Sequence, residues 1–222
     1  HSTSSAASDV YKRQEIDYKN NLLETAVVCD AVATPLKIIK KARISSFDKV
    51  GVIGAGGGLG IHMLKMLKLN NISAIGIDTK TEKFNTCNEN GAEFSVSPME
   101  NDLKNKIADY SKSHDLDVVI DFVSSKSSLE LGCSILGKGG RLVTLGGSGE
   151  QFLANSADML VKELELIGSR YCTKQELKES LDLYARGLIE PLVSVKTDFD
   201  GAEGLHDKIE KGEITGRAGI LI

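Results

Sequence analysis

The hydrophobic pattern between residues 47 and 168 alternates short β-branched runs with segments of helical spacing. The runs predict strands at residues 50–53, 72–77, 92–96, 117–123, 141–145 and 164–169. Segments with apolar residues three or four positions apart predict helices at residues 61–69, 79–90, 100–113 and 127–136. Strands that alternate with helices imply right-handed crossovers and a parallel sheet. The predicted fold class is therefore α/β, with a doubly wound parallel sheet.

Further elements are predicted on both sides of this region. Residues 26–42 predict a helix with a break or restart at Thr34 and Pro35, because Thr caps helices and Pro suits a first turn. The later pattern predicts helices and strands in alternation, at residues 174–185, 193–196, 201–211 and 218–222. Residues 1–14 are small, polar and aperiodic and do not begin with Met, which predicts a non-native tail.

A glycine-rich turn follows the first predicted strand and precedes a predicted helix. Its residues are Gly54, Gly56, Gly57, Gly58, Leu59 and Gly60. Glycines permit positive φ and let a phosphate approach the bare backbone, and free N–H groups at a helix N-terminus attract the phosphate. The spacing is one residue longer than the usual G-x-G-x-x-G, and glycine-rich turns also occur in ordinary loops. The pattern indicates a dinucleotide site or, alternatively, a structural turn.

Asp78 ends the second predicted strand, within the interval of roughly 20 residues expected for a ribose-binding acid. A carboxylate at this position accepts hydrogen bonds from the adenosine ribose hydroxyls and repels a 2′-phosphate. The order of strand, turn, helix, strand and acid therefore favours NAD over NADP. The alternative for Asp78 is an ordinary turn aspartate.

Composition narrows the range of functions. The 222 residues are 41% hydrophobic and 26% charged, as in a globular protein, and the net charge of -4 provides no basic surface for nucleic acid or an anionic membrane. No apolar run approaches the roughly 20 residues of a membrane span, and no secretory signal is visible. Cys29, Cys87, Cys133 and Cys172 form no C-x-x-C pair, which predicts reduced thiols, a cytoplasmic location and no structural zinc cluster.

Several different short motifs occur in a specific order, at residues 29–36, 52–60, 78–83, 121–124, 139–143, 167–171 and 212–217. Their order and spacing resemble the cofactor-binding half of the zinc-dependent medium-chain alcohol dehydrogenases, over about residues 22–222. The resemblance implies a Rossmann fold whose flanking segments belong to an N-terminal catalytic domain that this sequence lacks. It implies connecting helices at residues 15–46, an NAD-binding domain at 47–168 and a return to the catalytic domain at 169–222.

The resemblance also implies roles for individual residues. Asp78 would hold the adenosine ribose, with Lys83 beside the same sugar, and Arg217 would reach back to the pyrophosphate. The alternatives are a solvated helix lysine for Lys83 and a surface charge for Arg217.

Two pairs of residues would contact the ends of the cofactor, because ligands of such sheets bind outside the carboxyl ends of the strands. Phe122 and Val123 would flank the adenine, and Leu145 and Gly146 would approach the nicotinamide. The alternative for all four is a buried strand residue without a ligand contact.

The family's zinc ligand from the segment before the glycine turn has two candidates here. The alignment on Thr34 and Pro35 favours Asp30, and Cys29 beside it is chemically suitable as well. The alternative is that neither residue binds metal and that Asp30 caps a helix turn. We expect His62 on the surface of the helix after the glycine turn, where it cannot replace a missing ligand.

The implied function is NAD-dependent oxidation of an alcohol, or reduction of the matching carbonyl, with zinc polarising the substrate oxygen. Catalytic relay residues would lie in the absent domain, so this chain alone is expected to be inactive. The expected partners are a small-molecule alcohol or carbonyl and further copies of the chain in a dimer or tetramer. The alternatives are a non-catalytic NAD-sensing module and a polyol, sugar or acyl-CoA-linked dehydrogenase of the same superfamily.

Overall fold

A computed structural model of the protein describes residues 21–112 and 115–221. Its main sheet has six parallel strands in the order β3-β2-β1-β4-β5-β6. These strands are β1 Lys49–Ile53, β2 Ser73–Ile77, β3 Ser95–Val96, β4 Leu116–Asp121, β5 Leu136–Thr144 and β6 Glu165–Gly168. This is the strand order of a dinucleotide-binding sheet, in which the winding reverses between β1 and β4. The predicted doubly wound α/β fold is confirmed.

Helices connect these strands and flank them. They are α1 Leu22–Val27, a π-helical turn Val28–Val32, α2 Ala33–Lys41, α3 Gly60–Leu69, a 3₁₀ turn Thr81–Lys83, α4 Phe84–Glu89, α5 Leu103–Ser111, α6 Lys126–Ser134, α7 Ser156–Lys162, α8 Lys174–Ala185 and α9 Ala202–Glu210. The predicted tail at residues 1–14 lies outside the described residues, as does the start of the predicted connecting segment. No helix within the described ranges has both the length and the apolar character needed to cross a membrane.

The central strands β1, β2 and β4 are buried on both faces, which explains their nearly continuous apolar sequences. Val118 and Ile120 of β4 face the core cluster that includes α3, whereas Val119 between them faces the opposite cluster. Side chains alternate across a strand, so one apolar run supplies both layers. This packing fixes the carboxyl ends of β1, β2 and β4 along one edge.

Several predicted boundaries differ from the structure. The predicted strand at residues 92–96 is reduced to Ser95–Val96, and the predicted helix at 79–90 divides into the 3₁₀ turn and α4. The predicted helix at 127–136 ends at Ser134, because Leu136 begins β5 and pairs with Leu116. The helix α7 was not predicted.

The helical segment before the sheet contains a π-helical turn. A break is predicted at Thr34 and Pro35, but the irregular turn precedes them, and the Ala33 N–H donates to the Val28 carbonyl five residues earlier. Pro35 has no N–H for a bond one turn back and its ring crowds that turn, which accounts for the widened backbone. Asp30 therefore lies on a π turn, a type of turn that is frequent at functional sites.

The last part of the chain forms a second, two-stranded parallel sheet, β7 Val193–Thr197 and β8 Arg217–Ile220, with α9 between the strands. The Gly216 N–H donates to the Gly56 carbonyl at 3.1 Å. This contact places the start of β8 against the glycine-rich turn.

Candidate functional site

The glycine-rich turn lies at the carboxyl end of β1, where the sheet changes its winding. Gly54 has a φ of 76°, and its N–H donates to the Ile77 carbonyl at 2.8 Å. A β-carbon at Gly60 would collide with the backbone of Gly54 and Ala55, so α3 can begin this close to the strand only with glycine. The turn thus brings the N-terminus of α3 to the edge of the sheet, as the sequence predicted.

Asp78 follows β2 and lies against this turn, with 9% of its surface exposed. One carboxylate oxygen accepts a hydrogen bond from the Gly56 N–H at 2.8 Å, and the other accepts one from the Lys80 N–H at 3.0 Å. The negative charge is therefore held in one orientation beside the glycines.

Lys83 is buried in the 3₁₀ turn and is not a solvated lysine. Its ammonium group donates to the Ile214 carbonyl at 2.8 Å, and a β-carbon at Gly56 would lie 2.5 Å from its Cδ atom. Lys83 thus packs on the glycine turn and ties the C-terminal segment to it.

Arg217 begins β8 and extends over the opposite part of the turn. A β-carbon at Gly58 would lie 2.7 Å from its Nε atom, and Nη2 pairs with the Asp30 carboxylate at 2.5 Å. The structure therefore joins a predicted pyrophosphate-binding residue to a predicted metal ligand, and this ion pair was not predicted.

A cleft of about 410 Å³ runs along this edge, within the range of small-molecule sites. It is lined by most of the predicted cofactor residues, namely Gly54, Gly57, Gly58, Leu59, Gly60, Asp78, Lys83, Phe122, Val123 and Arg217. Thr79, Lys80 and Gly212 also line it and were not predicted. Thr79 and Lys80 directly follow Asp78, and Gly212 begins the motif at residues 212–217. These motifs could therefore have identified all three residues from the sequence.

Three predicted cofactor residues lie outside the lining of this cleft. Gly56 donates its N–H to Asp78, Leu145 packs against the core, and the Gly146 N–H donates to the Ser124 hydroxyl at 2.8 Å. Leu145 and Gly146 directly follow β5, next to the end of β4. Their contact with a nicotinamide stays a prediction.

The loop after β4 is held by Asp121, which is fully buried. Its carboxylate accepts hydrogen bonds from the Val123 and Ser124 N–H groups at 2.8 and 2.9 Å. This fixes Phe122 and Val123 at the rim of the cleft, where Val123 is half exposed.

A second cleft, of about 450 Å³, contains both predicted zinc ligands, Cys29 and Asp30, together with Tyr171 and Cys172. Among residues 21–112 and 115–221, no three His, Cys, Asp or Glu side chains lie close enough together to hold a metal ion. Catalytic zinc usually has three protein ligands. The described residues therefore do not form a complete zinc site, and ligation by Asp30 or Cys29 stays a prediction.

The prediction that His62 lies on the surface is wrong, because its side chain is fully buried. Nδ1 lies 2.7 Å from the Gly58 carbonyl oxygen, and Nε2 accepts a hydrogen bond from the Leu192 N–H at 3.0 Å. Burial is the main reason that the pKa of His62 falls to about 4, and the charge of Arg217 also lowers it. Apart from Lys65 and Lys68, the other side chains of α3 are apolar, which was the signal that most of this helix is buried.

Comparison with known proteins places this geometry in a family. Residues 58–186, more than half of the chain, match the family model described as "Zinc-binding dehydrogenase". The chain belongs to the zinc-binding dehydrogenase family. The matched region runs from the glycine turn through α8, so it includes Asp78 and the loop after β4.

The individual proteins that this chain resembles are distant in sequence. An NAD-dependent alcohol dehydrogenase from Sulfurisphaera tokodaii is 25% identical over 192 residues, covering 86% of this chain and 55% of that protein. An acryloyl-coenzyme A reductase from Metallosphaera sedula is 27% identical over 182 residues, covering 79% of this chain and 52% of the relative. The crystal structure of the Aeropyrum pernix alcohol dehydrogenase superposes with a TM-score of 0.80 at 28% identity, covering 88% of this chain and 56% of that one. The chain thus spans about half the length of the relatives that it matches.

Proposed function

We propose that the chain binds NAD and forms the nucleotide-binding part of an NAD-dependent alcohol dehydrogenase. The observation that carries this proposal is the convergence of the glycine turn, the fixed Asp78 carboxylate and the Arg217 guanidinium on one cleft. These groups match the chemical needs of a diphosphate linked to an adenosine ribose. The similarity to a protein named NAD-dependent alcohol dehydrogenase supports the same cofactor.

Each end of the proposed ligand has a partner. The diphosphate would lie on the N–H groups at the start of α3, with Arg217 donating to its oxygens. The ribose hydroxyls would donate to Asp78, whose charge disfavours the 2′-phosphate of NADP. Phe122 and Val123 would flank the adenine. Leu145 and Gly146 would lie toward the nicotinamide, which accepts a hydride from the alcohol carbon when bound.

In the whole enzyme, Asp30, or Cys29 beside it, would provide one of the protein ligands of zinc. Asp30 pairs with Arg217 through Oδ2 and accepts a hydrogen bond from the Thr34 hydroxyl at 3.4 Å through Oδ1, so binding zinc would require at least one of these contacts to give way. The cofactor diphosphate would give Arg217 a replacement partner. The proposed division assigns residues 47–168 to the cofactor and residues 169–222 to a return toward the catalytic domain.

The substrate is proposed at the level of a small alcohol or its carbonyl. The acryloyl-coenzyme A reductase among the relatives supports keeping an acyl-CoA-linked reaction as the second candidate. We also propose a cytoplasmic homo-oligomer. The exposed apolar side chains of Leu160, Val161 and Leu166, on α7 and the edge strand β6, support self-association, and sedimentation velocity tests it.

The cofactor proposal is tested by calorimetric titration of the 222-residue chain with NAD, NADP and adenosine. We expect saturable NAD binding and weaker NADP binding. Absence of NAD binding by a folded chain would refute the proposal, and a preference for NADP would refute the role of Asp78. NADH formation that depends on an added alcohol, in the whole enzyme, separates a dehydrogenase from an NAD-sensing module.

A further inference from the structure

His62 connects two segments of the chain that lie 130 residues apart. A backbone N–H can only donate, so Nε2 of His62 must be unprotonated to accept the bond from Leu192. The proton of the neutral ring is then on Nδ1, which donates to the Gly58 carbonyl. The surroundings therefore select one tautomer of a neutral imidazole, with both nitrogens engaged.

The two partners of the ring are adjacent to the residues of the proposed phosphate site. Gly58 is the glycine over which the Arg217 side chain extends. The Leu192 carbonyl accepts a hydrogen bond from the Arg217 N–H at 2.9 Å. One imidazole thus contacts the turn on one side and, through a single residue, the backbone of Arg217 on the other.

The small sheet that carries Arg217 needs such an anchor. A two-stranded sheet is at best marginally stable alone, so the position of β8 depends on its attachment to the larger sheet. Lys83 and Gly56 hold the end of the preceding loop through Ile214 and Gly216. His62 provides the attachment on the side of β7, at Leu192.

We infer that His62 is a positioning residue for cofactor binding, which joins Gly58 to Leu192 and thereby holds the Arg217 guanidinium over the glycine turn. This inference rests on the proposed function, because it takes the diphosphate of NAD as the ligand of Arg217. A neutral ring adds no charge to the site, so His62 contributes through geometry alone.

Two substitutions separate the hydrogen bonds of the ring. The amide nitrogen of His62→Asn can take the place of Nδ1 and donate to Gly58, but the side chain is too short to reach Leu192. The longer side chain of His62→Gln can place its oxygen near Nε2 and accept the bond from Leu192. We expect His62→Asn to weaken NAD binding about tenfold while adenosine binding is retained, and His62→Gln to keep most of the NAD affinity.

A double-mutant cycle with Arg217→Ala tests whether His62 acts through Arg217. If it does, adding His62→Asn to the Arg217→Ala protein should cause little further loss of NAD affinity. Ser180→Ala is the matched control, since Ser180 is also fully buried and donates a hydrogen bond, at 2.8 Å, but lies in α8 and does not line the cleft. It should lower stability and leave the ratio of NAD to adenosine affinity unchanged.

The outcomes distinguish the inference from the function on which it rests. Wild-type protein that binds no NAD would refute both. Wild-type binding together with independent, multiplicative losses in the cycle, or equal losses for NAD and adenosine, would refute the role of His62 alone. If His62→Asn does not fold, His62→Gln decides, because an NAD affinity as low as that of Arg217→Ala would contradict the inference.

Discussion

The substitution Asp78→Asn separates the two tasks of this carboxylate, which are holding the turn and selecting the cofactor. Asp78 accepts hydrogen bonds from the Gly56 and Lys80 N–H groups, one on each oxygen. Asparagine retains one acceptor oxygen and turns an NH₂ group toward the other amide. One nearly buried N–H then lacks a partner, at a cost of about 1–3 kcal/mol in the free energy of unfolding.

The effect on cofactor choice can be calculated separately. NAD loses a hydrogen bond from the ribose to a charged acceptor, worth about 1.5–3 kcal/mol. NADP is relieved of repulsion between its 2′-phosphate and the carboxylate, for which we take about 1.5 kcal/mol near a solvent-exposed rim. The lower limit for the hydrogen bond and the value for the repulsion sum to about 3 kcal/mol, so the ratio of NAD to NADP affinity should fall about a hundredfold.

Calorimetric titration of both cofactors measures this ratio, and damage to the turn cancels from it because both ligands use the same glycines. Asp121→Asn is the control, since Asp121 is also a buried carboxylate that accepts two backbone N–H groups, but it lies at the end of β4, which β1 separates from β2. It should reduce stability without changing the ratio. An Asp78→Asn protein that binds both cofactors more weakly, with an unchanged ratio, would show that Asp78 only holds the turn.

Four other substitutions follow from the structure. Gly58→Ala places a methyl group against the guanidinium of Arg217 and should weaken NAD binding about tenfold while sparing adenosine. Arg217→Ala should have the same selectivity, since only NAD carries the diphosphate. The pKa of His62 is about 4 in the folded protein and 6.5 in the unfolded chain. The free energy of unfolding should therefore be highest above pH 6.5 and should fall by about 3 kcal/mol in total as the pH falls toward 4. In the His62→Gln protein, urea unfolding should depend less on pH. Arg141→Met leaves Asp48 largely buried without its ion-pair partner and should reduce unfolding free energy by about 3 kcal/mol, with NAD affinity unchanged.

Each of these four predictions would be contradicted by a different result. Equal losses of NAD and adenosine affinity in Gly58→Ala or Arg217→Ala would indicate a folding defect in place of a phosphate contact. An identical pH dependence in the wild type and His62→Gln would show that His62 is not the group that titrates. An Arg141→Met protein as stable as the wild type would show that the pair with Asp48 contributes little.

Elements whose signals lie within a short stretch of sequence were predicted well. The helix Lys174–Ala185 was predicted with both ends correct from its amphipathic spacing, and the capping box of Thr173 and Glu176 fixes its N-terminal end. The glycine turn and Asp78 were predicted because strand, turn, helix and acid follow one another within 30 or so residues. Short edge strands such as Ser95–Val96 were not delimited, since pairing with β2 sets their length.

The resemblance predicted that Arg217 reaches the glycine turn, but two other contacts of the C-terminal segment could not be predicted. Asp30 and Arg217 lie 187 residues apart, and nothing in the sequence around either residue indicates that they form an ion pair. In the sequence, His62 is a polar residue with no visible partner. The Leu192 N–H, just before β7, provides the hydrogen bond that makes its burial favourable. Both cases concern charged or polar side chains whose partners arrive from distant segments.

The attachment of β7 and β8 has a consequence for the order of folding. The contacts that complete the cleft join residues 130 to 187 positions apart, as in the bonds from Lys83 to Ile214 and from Asp30 to Arg217. Such contacts are formed slowly, because long loops must close before the contacts compensate for the lost chain entropy. Helical signals and the burial of the central strands should therefore recover early in refolding, and the ability to bind a diphosphate should recover last. Ligand affinity in this protein would then report the final docking step, which most spectroscopic signals of the main sheet would miss.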